Sequence, residues 1–133
     1  MPESLPQTYK AAVLEKAGAP VVIKDVPLKK PGRGQVLVKI IACGVCHTDI
    51  FEQNGFMGDV FPRVPGHELV GDIVAVGENV SRFSGGERVG GPWHGGESST
   101  YIEYSNYQTF TADMPNRPRP HLSVMRAGAV PDL

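Results

Sequence analysis

The sequence is short of cysteine, of net charge and of long apolar runs, and each shortage removes a class of protein. Two cysteines in 133 residues, Cys43 and Cys46, exclude a disulfide-stapled scaffold, because a bridge between residues this close closes no useful loop. Lysine and arginine number 13, aspartate and glutamate 14, so the formal net charge is −1. That balance offers neither a basic surface for nucleic acid nor an acidic tail for a basic partner. The longest apolar stretch, Val36 to Val45, is interrupted by Lys39 and is too short to cross a bilayer. The first residues, Met1 to Lys10, are polar, include Pro2 and Pro6, and lack the apolar core of a signal peptide. A cytoplasmic protein with no nucleic-acid or membrane partner is the resulting expectation.

What is present reads as one small globular β domain. Hydrophobic residues make up 41% and charged residues 20%, enough apolar material for a core. The 16 glycines and 12 prolines punctuate short β-branched runs, which is the all-β pattern. Tyr9 to Leu14 and Val21 to Val26 read as strands around the turn Ala17-Gly18-Ala19-Pro20. After the turn Pro31-Gly32-Arg33-Gly34, Gln35 to Ala42 is the strongest strand. Val36, Val38 and Ile40 alternate there with Leu37, Lys39 and Ile41, so both faces are largely apolar and the strand is placed centrally. Cys46 to Gln53 is a short helix stopped by Asn54-Gly55, and Phe56 to Pro65 a loop. Leu69 to Val76 is a further strand in which Gly71 marks a bulge or a close backbone approach. Gly77-Glu78-Asn79 is a turn, Glu87 to Val89 a short strand, and Thr100 to Tyr104 one more. Met114 to Leu133, with Pro115, Pro118, Pro120 and Pro131, has little periodicity and reads as irregular.

Two short motifs carry chemistry. The first is Cys43-Gly44-Val45-Cys46-His47-Thr48-Asp49 and the second Gly66-His67-Glu68. In a reducing compartment, closely spaced cysteines point to metal or redox chemistry. Zinc favours thiolate and imidazole, and a catalytic site uses three protein ligands with a fourth position left for water or substrate. Cys46 beyond the end of a central strand and His67 at the start of a later one can meet at one end of a sheet. Asp49 is placed to orient the imidazole through its other nitrogen, and Glu68 adds a carboxylate. Taken singly, each has a plainer explanation. A histidine beside Pro-Gly is commonly structural, Cys43 fits as a small buried hydrophobe, and an aspartate at a helix start is commonly a cap. Cys43 to His47 also satisfies the C-x-x-C-H spacing of c-type haem attachment, but it follows a strong strand and no secretory leader precedes it. A thioredoxin-like role lacks its βαβ surroundings.

The motifs together resemble a known family. Gly44-Val45-Cys46-His47-Thr48-Asp49, Pro65-Gly66-His67-Glu68, Val74 to Val80, Glu87-Arg88-Val89-Gly90 and Pro92-Trp93-His94-Gly95-Gly96 are similar to the GroES-like catalytic domain of medium-chain, zinc-dependent alcohol dehydrogenases. The resemblance covers residues 9 to 96. It implies a mainly β, partly open GroES-like barrel with one or two short helices. It implies Cys46 and His67 as two of three ligands to a catalytic zinc and Glu68 as an acidic residue that can approach it. Asp49 becomes the partner of the histidine ligand, and Thr48 the hydroxyl that binds the substrate alcohol and passes on its proton. His47 faces the coenzyme pyrophosphate and Trp93 walls the substrate pocket. Zinc and NAD or NADP are the implied cofactors and a small alcohol the implied substrate.

The sequence departs from the family pattern in four places. Phe51 stands where many relatives place the histidine that ends the proton relay, and it carries no exchangeable proton. The four-cysteine lobe for a structural zinc is absent between Gly96 and the Tyr101-Ile102-Glu103-Tyr104 run. Val124 to Gly128 resembles the family's Cys-Ala-Gly segment with Arg126 in place of the third ligand, and no third cysteine exists in the chain. No strand–Gly-x-Gly-x-x-Gly–helix unit for a dinucleotide is found. Residues 1–96 are therefore expected to form a partial catalytic domain and residues 97–133 a diverged or irregular tail without the structural-zinc lobe. The chain by itself is expected to be inactive and marginally stable. The alternative is a non-enzymatic GroES-like module that acts by binding dehydrogenase subunits.

Overall fold

The computed structural model describes residues 4–58, 60–92, 107–111 and 125–126. Strand β1 (Thr8–Val13) pairs antiparallel with β2 (Val22–Pro27), Tyr9 opposite Val26, as a separate two-stranded sheet. The remaining strands are β3 (Gln35–Cys43), β4 (Glu68–Val76), β5 (Arg88–Pro92), β6 (Tyr107–Thr111) and β7 (Met125–Arg126). They form one antiparallel sheet in the order β6-β3-β4-β5-β7. The two sheets do not close on each other, so the domain is mainly β and partly open, as expected. A single short helix, α1 (His47–Gln53), lies among the described residues, and no helix is long and apolar enough to cross a membrane.

The expected strands all appear within a residue or so, except two. The run Glu87 to Val89 continues to Pro92, because Gly90, Gly91 and Pro92 pair with Val70, Leu69 and Glu68. The expected strand Thr100–Tyr104 lies outside the described residues. The stretch read as a tail supplies β6 and β7, which pair with β3 and β5 respectively.

Strand β3 occupies the interior position predicted for it, between β6 and β4. Its regular alternation, however, is broken. Val36, Leu37 and Val38 are all buried, whereas Ile41 is 56% exposed. Register shifts against β4 between Leu37 and Val38 and between Ile40 and Ala42 account for this, since an extra residue turns the following side chains to the other face. Gly71 sits at the second irregularity. A Cβ there would lie 2.5 Å from Val38 Cγ1 and 3.1 Å from the Lys39 carbonyl carbon, so the strands approach too closely for a side chain.

Two apolar clusters organise the domain. Val36, Val38, Leu69, Ile73, Phe83 and Val89 form the main one. Ala11, Val13 and Val64 form the second, beneath the β1–β2 pair. Val64 matters for position: with the reciprocal Leu14–Arg63 backbone bonds of 2.7 and 2.9 Å, it pins the segment before His67 to the end of β1.

Candidate metal centre

The site lies at the end of the β3–β4 pair where Cys43 faces Leu69. A 2.7 Å bond from the Gly44 amide to the Glu68 carbonyl extends the ladder one step further. Beyond it the chain turns at Val45 and enters α1, with Cys46 as N-cap in extended conformation (φ −128°, ψ 179°). The Asp49 carboxylate turns back and accepts the Cys46 amide at 2.8 Å, satisfying a backbone donor that the helix leaves over. At the other end, Asn54 and Gly55 stop the helix. Asn54 Nδ2 donates to the Ile50 carbonyl at 2.9 Å, and Gly55 takes a left-handed φ of 81°. The helix docks by its C-terminal turn, where Gly18 donates to the Gln53 carbonyl and the Gln53 amide to the Ala19 carbonyl.

This framework brings the two sequence motifs together. Cys46 Sγ lies 3.1 Å from His67 Nε2, and Glu68 Oε1 lies 3.8 Å from the same nitrogen. One donor atom from each of Cys46, His67 and Glu68 lies within 4.8 Å of the others. His67 is buried, Cys46 half-buried and Glu68 exposed, so the cluster is rooted in the domain and open on one side. The opposite ring nitrogen of His67, Nδ1, lies 3.8 Å from Asp49 Oδ1. Asp49 thus serves both readings given to it, capping α1 with one oxygen and facing the imidazole with the other. A thiolate, an imidazole and a carboxylate with the imidazole's far side turned to a second carboxylate is a donor set that suits zinc.

The other predicted residues fall around this cluster. Thr48 is half-buried on α1, two residues after Cys46. His47 is exposed at the helix start, with its ring edge-on to Phe51 at a centroid distance of 4.8 Å. Phe51 in turn stands edge-on to Phe56 at 6.1 Å. Cys43 is half-buried, its Sγ 3.6 Å from the Gly44 carbonyl, and takes no part in the cluster. Trp93 lies outside the described residues. Arg126 is in β7, paired through its backbone with Val89.

Sequence reasoning missed Glu52. Its residue is fully buried on α1, one turn after Asp49, and neither carboxylate oxygen has a hydrogen-bond partner of good geometry among the described residues. Burial pushes its carboxyl above the ordinary value. Arg63 opposes this most strongly, Asp49 adds to it, and His67 and the Gly66 amide oppose it less. Arg63 is itself buried, with Nε donating to the Val60 carbonyl at 2.9 Å and one terminal nitrogen unpartnered. The one available signal was the three-residue spacing from Asp49, which sets both carboxylates on one helix face.

Comparison with known proteins agrees with the geometry. The family model described as the alcohol dehydrogenase GroES-like domain matches residues 32–117, well over half of the chain. Alcohol dehydrogenase patD of Penicillium expansum is 48% identical over 100 residues, which are 75% of this chain and 29% of that protein. The Rhizobium meliloti alcohol dehydrogenase is 47% identical over 88 residues, 65% of this chain and 26% of that protein. The chain thus spans less than a third of the length of the curated relatives it matches. Among solved structures, an alcohol dehydrogenase superfamily protein from Novosphingobium aromaticivorans superposes with a TM-score of 0.71 at 31% identity, covering 79% of this chain and 32% of that one. The acetophenone reductase of Geotrichum candidum, solved in complex with NAD, superposes with a TM-score of 0.72 at 23% identity, covering 93% of this chain and 41% of that one. On fold, motif and family match together, the chain belongs to the alcohol dehydrogenase GroES-like domain family.

Proposed function

We propose that Cys46, His67 and Glu68 form the zinc-binding corner of an alcohol–carbonyl oxidoreductase that uses NAD or NADP. The observation that carries this reading is the meeting of three zinc-type donors within 4.8 Å, with Asp49 behind the imidazole. Zinc held there would supply Lewis acidity toward an alcohol oxygen. The chain's own residues do the rest. Asp49 keeps the His67 ring turned so that Nε2 faces Cys46 and Glu68. Thr48 receives the alcohol's hydroxyl proton and, because Phe51 cannot extend a relay, passes it to water. His47 is exposed at the start of α1, and the family resemblance would give it the coenzyme pyrophosphate and give Trp93 a part in the substrate pocket. The site works in the cytosol. Residues 1–96 supply the catalytic part and residues 97–133 follow as a diverged segment. Hydride transfer would require a dinucleotide-binding unit beside these residues.

The test is a cobalt titration of the chain followed by addition of benzyl alcohol. About one equivalent of Co(II) should bind with a thiolate charge-transfer band, and the alcohol should shift the d–d bands by entering the fourth position. No cobalt binding, or a spectrum indifferent to alcohol, would remove the reading. A second reading is association with dehydrogenase subunits. It is favoured by apolar side chains left in water between the two motifs, Val45 (77% exposed), Phe56 (75%) and Val60 (71%). Failure of the tagged chain to retain a purified full-length alcohol dehydrogenase would dismiss it.

A further inference from the structure

Glu68 is the least buried of the three donors, yet its carboxylate is turned inward to within 3.8 Å of His67 Nε2. The strand geometry does not dictate that choice. Glu68 is the first residue of β4, its side chain is 47% exposed, and a glutamate in that place gains more hydration by swinging outward. What admits the carboxylate is the backbone opposite. Gly44 donates its amide to the Glu68 carbonyl at 2.7 Å, so the two main chains lie against each other. A Cβ on residue 44 would stand 3.1 Å from Glu68 Cβ and 3.3 Å from Glu68 Cδ, and closer still to Oε2. The whole inward side chain therefore runs through the volume that any residue other than glycine would fill. Conformation does not explain this glycine, since it is not among the residues with positive φ and alanine would meet no backbone strain there.

We propose that Gly44 is a positioning residue for the metal centre: the absence of a side chain two residues before Cys46 is what lets Glu68 enter the donor cluster. The inference rests on the metal-binding reading for its consequence, but the placement of Glu68 stands independently. Glycine at 44 makes the third donor a carboxylate on a flexible stem, able to come and go, beside two donors fixed by the fold. Alanine closes that space. Glu68 must then take an outward rotamer, and Cys46 and His67 are left with solvent to complete the coordination.

The experiment is a double-mutant cycle on the full 133-residue chain, Gly44→Ala and Glu68→Ala, read by Co(II) affinity, by melting temperature and by crystal structures of the metal-free proteins. Gly44→Ala should weaken Co(II) binding about tenfold, within the range found when groups supporting a metal site are lost. In the Glu68→Ala background, where only the 3.1 Å contact with the Cβ of residue 68 remains, it should cost far less, and the Gly44→Ala structure should show the Glu68 carboxylate withdrawn from His67. An unmoved carboxylate in the Gly44→Ala crystal, or an equal loss in both backgrounds, overturns the proposal. Should Gly44→Ala fail to fold, restoration by Glu68→Gly, which removes the Cβ as well as the carboxylate, supports the crowding argument and no restoration refutes it. If the parent chain binds no cobalt, the metal reading falls, and the position of Glu68 in the two metal-free structures still decides the role of Gly44.

Discussion

In the middle of the larger sheet, Val36, Val38, Leu69, Ile73, Phe83 and Val89 are sealed from water with only apolar neighbours in their cluster, while beyond one end of β3 and β4 the buried side chains are Asp49, Glu52, Arg63 and His67. The two regions share strands and differ in what burial achieves. In the first, each side chain removed from water contributes to stability, on the order of 1.5–3 kcal/mol for a large aliphatic group. In the second, burial removes hydration from groups that want it, and the protein recovers only part of that cost through hydrogen bonds and opposing charges. A chain assembled this way is held together by one region and gathers its polar donors in the other at a cost to stability. Substitutions should sort accordingly, into those that move the melt and those that move metal binding.

The largest effect belongs to the apolar region. Ile73→Ala should destabilise the domain by about 2–5 kcal/mol, since Ile73 is almost wholly buried between β3, β5 and Phe83. Urea denaturation measures this, and a loss below about 1 kcal/mol would break the contrast, because the middle of the sheet would then be no more essential than the surface. Next comes Asp49→Asn. Asparagine still caps a helix, so the melt should barely change, yet Co(II) affinity should fall about 10–100-fold as the imidazole loses its carboxylate. A matched loss of stability would show that Asp49 is only a cap.

Glu52→Gln sharpens the same division by pH. The folded carboxyl holds its proton more tightly than the unfolded chain does, because burial raises its pKa. Its contribution is therefore fully present below the ordinary glutamate range and is lost as pH rises through the raised folded value. The glutamine variant should melt higher than the parent near pH 8 and no higher near pH 4. An equal difference at both pH values would mean the charge at Glu52 is irrelevant. The smallest effect is at Asp72, where Arg88 donates two bonds of 2.8 and 3.1 Å across β4 and β5 at the surface. Those bonds hold the Asp72 carboxyl below its ordinary value, so their stabilisation is present above the usual aspartate range and disappears as pH falls through the lowered value. Asp72→Asn should shift the melting temperature by a degree or less at pH 7, and less still in high salt. A larger shift would give this exposed pair a weight that the comparison denies it.

Much of this was legible in the sequence, for physical reasons that also mark where it stops. Strands β3 and β4 announce themselves as short, nearly continuous β-branched runs between turn residues, and Gly71 marks the close approach because a strand interior otherwise disfavours glycine. Cys46, Asp49, His67 and Glu68 were legible as types: soft and imidazole donors at two strand ends, with carboxylates beside them. The breaks in the β3 pattern were not, since a register shift depends on the partner strand and leaves no mark in Leu37 or Ile41 themselves. Strands β6 and β7 were hidden for a similar reason. They are short, lack periodicity, and find their places through the edges of β3 and β5. Glu52 reads as an ordinary solvated helical charge. Only the packing of α1 against the segment holding Arg63 and Gly66 turns it inward.

On the proposed reading, Cys46, His67 and Glu68 hold one metal ion together. X-ray absorption at the zinc edge of the loaded chain tests it most directly. One zinc–sulfur distance of about 2.3 Å and about three nitrogen or oxygen neighbours at about 2.0–2.1 Å are expected, with the sulfur lost in Cys46→Ser. Two sulfurs would mean that Cys43 has been drawn in, and a shell with no sulfur would mean that the metal, if bound, is not at this site.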